Sequence, residues 1–214
     1  MEILVSPFLV SLLIGFLLGY VAALWRHRAD HFQNRGEAEL SHCLKRNFNT
    51  SDYHLLNHIT LRHRGITTQI DHILVSRFGV FVIETKALNG WIFANANHDT
   101  WTQVFFRAKF KFQNPIRQNF AHVQAVRELL DFLPANVVES VVVFVGGAEF
   151  KTAMPEGVFT LPKLIAHLQS CSTKVLSLNR VQFCVGRLET ARLAISHQTD
   201  IDHVQALHHK YGQS

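Results

Sequence analysis

The chain has 214 residues, of which 48% are hydrophobic and 17% charged, and its formal net charge is +5. This composition supports a hydrophobic core, and the positive charge permits contact with nucleic acid or anionic lipid without proving either. Three cysteines without C-x-x-C spacing exclude a disulfide framework and a four-cysteine zinc site, and fit a reducing compartment. The fourteen histidines are scattered and show no H-E-x-x-H spacing.

The first twenty-five residues are the most apolar part of the chain. No side chain between Glu2 and Arg26 is charged, and the run from Ile3 to Trp25 is almost wholly apolar. At ~1.5 Å per residue this run is long enough to cross a hydrocarbon layer of about 30 Å. We therefore predict a transmembrane anchor over residues 3–25.

The charges that flank this run predict its orientation. Arg26 and Arg28 follow it, while Glu2 precedes it, so the positive-inside rule places the N-terminus outside and the rest in the cytoplasm. The prediction is a single-pass protein of the cell inner membrane. The alternative is a cleaved signal peptide, but a basic n-region is missing and the apolar run is long for one. The spacing Gly15-x-x-x-Gly19 is a weak indication of a homo-oligomer.

After a short polar connector, the spacing of apolar residues predicts a series of helices and strands. The order helix, three strands, helix, strand is typical of a compact α/β unit. We predict a main domain over residues 34–150 and a C-terminal α-rich extension over 151–214, whose role cannot be read. The predicted elements are a helix 36–48, strands 53–61, 67–75 and 79–86, short strands 91–93 and 100–106, a helix 114–132, a strand 140–145, and helices 161–170, 181–195 and 201–211.

Three ionisable residues fall on two neighbouring predicted strands. Asp71 lies in an otherwise apolar strand, and Glu84 and Lys86, two apart, share one face at the end of the next strand. If Arg77-Phe78 is the hairpin loop, Asp71 opposes Glu84; if Phe78-Gly79 is the loop, Asp71 opposes Lys86. Both registers bring the three groups together, whereas a three-residue loop would separate them.

Two carboxylates side by side in an apolar setting repel each other, and a divalent cation removes that repulsion. Mg²⁺ binds such a sparse set of carboxylates together with water and phosphate oxygens. A lysine nearby can orient the attacking water and steady the phosphate charge, with the metal as Lewis acid. The structural alternative is a salt bridge between Lys86 and either acid. The short D-x12-E-x-K pattern on its own does not favour a metal site over this salt bridge.

A longer pattern around these residues is more specific. The segments 70–75 (IDHILV) and 78–86 (FGVFVIETK) closely resemble the centre of the nuclease-related domain (NERD) family, which belongs to the PD-(D/E)xK nuclease superfamily. The resemblance covers roughly residues 34–146, with the motifs in the family's order. Three further features carry it: Gly36-Glu37, Gly90-Trp91-Ile92, and Gln113-Asn114-Pro115 followed by Gln118 and His122.

The resemblance implies a restriction-endonuclease-like core, built as helix, three-stranded antiparallel meander, helix and strand, and phosphodiester hydrolysis that depends on Mg²⁺ or Mn²⁺. By position, Asp71 and Glu84 are the implied metal ligands and Lys86 the catalytic lysine. Glu37 completes the acidic site, either as a ligand or through water. Gln118 is implied to line the site. The superfamily's namesake proline is replaced by isoleucine before Asp71, which is ordinary for this branch.

Two further predictions concern residues near the second predicted helix. His122 lies one helical turn after Gln118, and can line the site or touch phosphate. His72 points to the strand face opposite Asp71 and is predicted to be structural.

Basic and aromatic residues alternate just before that helix. Arg107, Lys109 and Lys111, interleaved with Phe110 and Phe112, predict contact with a phosphate backbone. An edge strand or a membrane-facing loop shows the same alternation.

The function predicted from the sequence is a membrane-anchored, Mg²⁺-dependent nuclease acting on DNA. The expected partners are DNA or RNA, the lipid bilayer and a second copy of the chain. The alternative is a catalytically silent nuclease-fold protein that binds DNA or acts as a scaffold at the membrane. The presence of Asp71, Glu84 and Lys86 together argues against the silent protein.

Overall fold

The computed structural model describes residues 15–20 and 34–193. Residues 15–20 form a short helical stretch with exposed side chains. Most of the predicted anchor over residues 3–25, and the whole of the predicted helix 201–211, lie outside the described residues. Across the described ranges, no helix combines the length and the apolar character that crossing a bilayer requires.

The secondary structure of residues 34–193 is mixed α/β, as predicted. The predicted helix 161–170 is observed with the same bounds, and the other predicted helices and long strands that are described differ by a few residues at their ends. The elements in chain order are α1 (34–47), β1 (Tyr53–His63), β2 (Ile66–Ser76), β3 (Gly79–Ala87), β4 (Gly90–Phe93), β5 (Thr100–Phe105), β6 (Ala108–Gln113), α2 (Pro115–Leu129), β7 (Val138–Val145), β8 (Ala148–Phe150), β9 (Val158–Thr160), α3 (Leu161–Ser170) and α4 (Leu178–Ala191).

The strands form two sheets. The main sheet has the order β1-β2-β3-β7-β9, in which β1, β2 and β3 make the predicted antiparallel meander and β7 and β9 add in parallel. The second sheet has the order β6-β5-β4-β8 and begins three residues after β3 ends. The short strands β8 and β9 have three residues each, too few for a periodic pattern to reveal them.

Apolar packing on both faces explains the central strands of the main sheet. Residues 80–83 of β3 and 141–145 of β7 are all buried, as is typical of parallel strands covered on both sides. One face packs in a core cluster with α2 and α4 through Val126 and Leu188, and the other packs with α1 and α3 through Leu40 and Leu164.

The described part of the predicted C-terminal extension, residues 151–193, belongs to this same core. Strand β9 pairs with β7, and both α3 and α4 contribute fully buried leucines to it. The extension therefore completes the layers over the main sheet, so both helix layers depend on it.

A single buried amide fixes α2 over the sheet. The side-chain nitrogen of Asn119 donates to the carbonyl oxygens of Val82 (2.9 Å) and Val141 (3.1 Å) and to the hydroxyl of Ser140 (2.9 Å). The side chain is fully buried, so these contacts replace water at its nitrogen. Asn119 thereby ties α2 to both β3 and β7 just before β3 reaches Glu84.

We expect Asn119→Asp to lower the free energy of unfolding by about 3 kcal/mol or more. The variant replaces a donor with a buried carboxylate that faces two carbonyl oxygens and loses its bonds to them. Urea unfolding followed by circular dichroism measures the change. Asn179→Asp is the matched control, because Asn179 is exposed in the first turn of α4, where an acid is tolerated. Equal stability of the two variants would contradict the role assigned to Asn119.

Candidate active site

The turn between β2 and β3 decides which acids face each other. Arg77 and Phe78 form a two-residue turn, and Ser76 pairs with Gly79 across it. Of the two registers considered from the sequence, the one with Arg77-Phe78 as the loop is confirmed. The ladder ends at the pair His72–Ile83, and the same register extended by one position brings Asp71 opposite Glu84.

Asp71 lies in a strongly negative environment. Burial raises its pKa well above the ordinary value, and the nearby carboxylates of Glu84 and Glu37 raise it further. The backbone amide of Thr85, which donates to Oδ2 at 2.8 Å, and the charge of Lys86 oppose this effect only in part. Glu84 and Glu37 are therefore both close enough to repel the carboxylate of Asp71.

Glu84 and Lys86 form the ion pair that the sequence allowed as a structural alternative. The Lys86 ammonium lies 2.6 Å from Glu84 Oε1 and donates at 3.0 Å to the side-chain oxygen of Gln118 on α2. Burial alone would raise the pKa of Glu84, but Lys86 and His122 together hold it below its ordinary value. Glu84 is thus a buried, ionised carboxylate, and Lys86 is held between two acceptors.

His122 approaches Glu84 from the other side. Its Nε2 lies 3.2 Å from Glu84 Oε2, and its Nδ1 is 2.7 Å from the hydroxyl of Thr68. The side chain is buried, so its position supports the predicted role of lining the site. It does not support the assignment of His122 to nucleic-acid contact, because the ring is turned into the protein against Glu84 and Thr68.

Glu37 reaches the cluster from α1 and is accompanied by a residue that the sequence did not single out. Its carboxylate lies 3.6 Å from Nδ1 of His58 on β1, which stands between residues paired to either side of Asp71. His58 has a φ of +51°, in the left-handed region that non-glycine residues rarely adopt. Such strain within a strand often marks a functional site. A histidine in a strand-like run gives no sequence signal for it.

His72 stays out of the catalytic cluster, in agreement with the prediction. Its Nδ1 lies 2.7 Å from the side-chain oxygen of Asn57 on β1. Burial lowers the pKa of His72 to about 3, and the neighbouring His58 and Lys45 side chains lower it further. The ring is therefore neutral at physiological pH and acts as a packing and hydrogen-bonding group.

The acids fit a divalent cation in part. Within residues 15–20 and 34–193, no three His, Cys, Asp or Glu side chains are placed so that they could hold a metal ion together. A cage formed by Glu37, Asp71 and Glu84 is therefore not preformed. Mg²⁺ needs only one or two carboxylates when water and phosphate supply the other oxygens. Asp71 and Glu84, facing each other across the hairpin with their charges in conflict, have the chemistry for that smaller set.

The basic residues predicted to contact nucleic acid lie apart from this cluster. Arg107 is in the turn between β5 and β6, and Lys109 and Lys111 are on β6, the edge strand of the second sheet. All three are exposed. The edge-strand alternative is confirmed, since Phe112 turns inward against the ring of Trp101. Their contact with nucleic acid stays a prediction.

Comparisons with known proteins agree with this arrangement. Residues 33–145, more than half of the chain, match the family model described as the nuclease-related domain. An uncharacterized protein of Bacillus anthracis is 35% identical over 132 residues, which are 61% of this chain and 60% of that protein. The match thus spans about three fifths of the relative's own length, and the relative's description assigns no activity.

The repulsion at Asp71 predicts an unusual effect on stability. Folding raises the pKa of Asp71, so the penalty is absent below the ordinary value of 3.8 and appears as the pH rises through the folded-state pKa. In chelator at neutral pH we expect Asp71→Asn to raise Tm by about 2–4 °C, which is roughly 1 kcal/mol in a chain of this size. The new amide oxygen can still accept from the Thr85 backbone.

The measurement is thermal unfolding of both proteins across this pH range, with and without Mg²⁺. The difference in Tm should vanish in acid and shrink when Mg²⁺ is added, because only the wild type gains by binding it. Asp131→Asn, at an exposed position after α2, is the control and should change little. An Asp71→Asn protein less stable than the wild type in chelator at neutral pH would contradict the repulsion.

Proposed function

Since the chain belongs to the nuclease-related domain family, we propose that it is a metal-dependent nuclease that hydrolyses phosphodiester bonds in DNA. The observation that carries the proposal is the geometry of the hairpin. The β2–β3 register, extended by one position beyond the pair His72–Ile83, brings Asp71 opposite Glu84. The carboxylate of Glu84 raises the pKa of Asp71, and Lys86 contacts Glu84 from the same strand. Two acids and one amine are the groups that this chemistry requires.

In this proposal Asp71 and Glu84 hold the divalent cation, Mg²⁺ or Mn²⁺. When bound, the cation supplies Lewis acidity to the phosphate and favours deprotonation of an attacking water. Glu84 is suited to its part because Lys86 and His122 keep it ionised although it is buried. The His122 ring, itself anchored on Thr68, lies 3.2 Å from Glu84 Oε2 and restricts the carboxylate from that side.

Lys86 is the residue that we assign to the reacting water and phosphate. Its ammonium is partly exposed and is held by Glu84 Oε1 and the Gln118 amide oxygen, which leaves one of its three N–H donors for a substrate oxygen. Gln118 is therefore a positioning residue, because it acts through Lys86. This fixed placement is what lets an amine orient a nucleophile or neutralise phosphate charge as it develops.

Glu37 and His58 form a pair next to Asp71. The negative charge of Glu37 acts on Asp71 directly, and its carboxylate lies beside His58. We assign Glu37 an outer role, reaching the cation through water. Most of the His58 side chain is exposed, so the pair borders the solvent side of the site.

The test is a cleavage assay on the purified chain with linear DNA, circular DNA and RNA, each in Mg²⁺, Mn²⁺ or EDTA. We expect cleavage to require the metal, and Asp71→Asn, Glu84→Gln and Lys86→Met each to reduce it by about 100-fold or more. Gln118→Ala should reduce it less, since it removes only one contact to Lys86.

The matched control is Glu189→Gln, which removes an acid on the far helix α4 that pairs with Arg192. This variant should cleave like the wild type. Cleavage that survives unchanged in the Asp71 and Lys86 variants would come from a contaminant. Metal-independent nucleic-acid binding without any cleavage would instead favour the silent nuclease-fold protein. Preference for RNA would keep the chemistry and change the substrate.

We also propose that residues 3–25 anchor the chain in the inner membrane. The support is the uncharged, apolar run and the arginines that follow it. The full chain should stay in the membrane fraction after carbonate washing, and protease added from outside should leave the nuclease-related domain intact. A variant lacking residues 3–25 is the control and should be released. Release of the full chain, or an N-terminus that mass spectrometry finds cleaved near residue 23, would contradict the anchor.

A further inference from the structure

The outer face of the second sheet carries aromatic and basic side chains where a solvent-facing sheet would ordinarily be polar. The ladder pairs Trp91 with Val104 and Phe93 with Thr102, so these four side chains stand on one face. The next strand adds lysines to the same face, and we call the set the sheet platform. Its members are Trp91, Phe93, Thr102, Val104, Lys109 and Lys111.

The two aromatic rings of the platform, Trp91 and Phe93, are exposed, and the residue between them on β4 is buried on the opposite face. Trp91 is 50% and Phe93 40% exposed, whereas Ile92 is fully buried on the inner face against the core. Trp101 already fills that inner face from β5 and is almost fully buried. The outer rings are therefore not needed for the core, and exposed apolar groups of this size mark an interaction surface.

The platform is a groove with lysines along both sides. Its volume is about 660 Å³. Lys109 and Lys111 border it on β6, opposite Val104 and Thr102. On the other side the Lys151 ammonium lies 4.8 Å from the centre of the Trp91 ring and is paired at 2.8 Å with Glu149, so the excess of positive charge lies on the β6 side. Rings interleaved with cations are complementary to a chain whose bases stack and whose phosphates are negative.

This arrangement favours unpaired nucleic acid over a bilayer. A membrane would meet the β5–β6 turn, where Phe106 is 89% exposed at the tip, rather than a groove whose floor includes Thr102 between two strands. Two rings at positions i and i+2 of one strand present two separate stacking faces, as in sheets that bind single strands. Bases paired within a duplex could not reach them.

The platform also lies close to the proposed active site along the chain. Strand β4 begins four residues after Lys86, so Gly90 is at most about 14 Å from it, at 3.6 Å per extended residue. Trp91 follows directly. The backbone of the platform therefore begins within the span of a few nucleotides from the backbone of Lys86.

We propose that the sheet platform binds single-stranded nucleic acid, with one base stacked on Trp91, a second on Phe93, and the intervening phosphates beside Lys109 and Lys111. The proposal rests on the nuclease function and specifies its substrate as an unpaired strand or an end. It assigns to Trp91 and Phe93 a binding role that none of the acids of the hairpin can supply.

The test is binding of a short fluorescein-labelled oligothymidine to the full chain, measured by anisotropy in EDTA so that no cleavage takes place. Trp91→Ala and Phe93→Ala should each weaken binding by about 10-fold, the usual effect of losing one stacked base, while Trp91→Phe should keep most of the affinity. Replacing Lys109 and Lys111 together by Gln should reduce the slope of log K against log salt by about 1.4.

Phe120→Ala is the matched control. Phe120 is 61% exposed on α2, away from the platform, so its loss should leave the affinity unchanged. Circular dichroism melts check that the platform variants fold. Wild-type affinity in both ring variants would overturn the proposal. The proposal would also be overturned if the ring variants lost binding to anionic phospholipid vesicles but kept binding to oligothymidine. That result would identify the platform as a lipid-binding surface.

The two proposals fail in different ways. Ring-dependent binding without any cleavage that depends on Asp71 would leave the platform in place and refute the nuclease. Cleavage that depends on Asp71 but is equally fast in Trp91→Ala, on single-stranded and duplex substrates alike, would leave the nuclease in place and refute the platform.

Discussion

The site depends on one unfavourable interaction, the repulsion between Asp71 and Glu84 across the β2–β3 hairpin. Their approach is enforced by a two-residue turn and by a ladder of buried apolar pairs, so the strands cannot slip without moving every side chain to the wrong face. The backbone amide of Thr85 and the ammonium of Lys86 relieve part of the conflict. Packing of the hydrophobic core offsets the remaining repulsion. The acids stay close together because the paired strands of the sheet hold their backbones in place.

Helix α2 holds several parts of the site in place. Helix α2 begins at Asn114, whose side chain caps the helix and also donates to carbonyl oxygens of the β4–β5 connection. Asn119 then ties the same helix to β3 and β7. One helix therefore fixes Gln118 and His122 relative to Glu84 and fixes the second sheet relative to the first. Helix α2 therefore fixes the positions of both the sheet platform and the acids.

Much of this could be predicted from the sequence, because local patterns determine it. Strand periodicity and a two-residue loop were enough to bring Asp71 to Glu84, and Asn-Pro located the start of α2. The strained His58 could not be predicted, since only tertiary contacts force a histidine to positive φ. The sequence left open whether His122 lines the site or touches phosphate, because helical spacing does not show which way that face of α2 is turned. The platform was missed since its residues come from strands paired only by the fold.

The Glu84–Lys86 ion pair tests whether the cluster is merely structural. A salt bridge explains those two residues completely, and burial of such a pair is no sign of function. It does not explain Asp71, whose charge opposes that of Glu84 and whose ionisation is disfavoured in the fold. Nor does it explain Glu37, which adds further negative charge from a different helix. A device for stability alone needs one acid for its one amine, and the proposed cation would offset the additional negative charge.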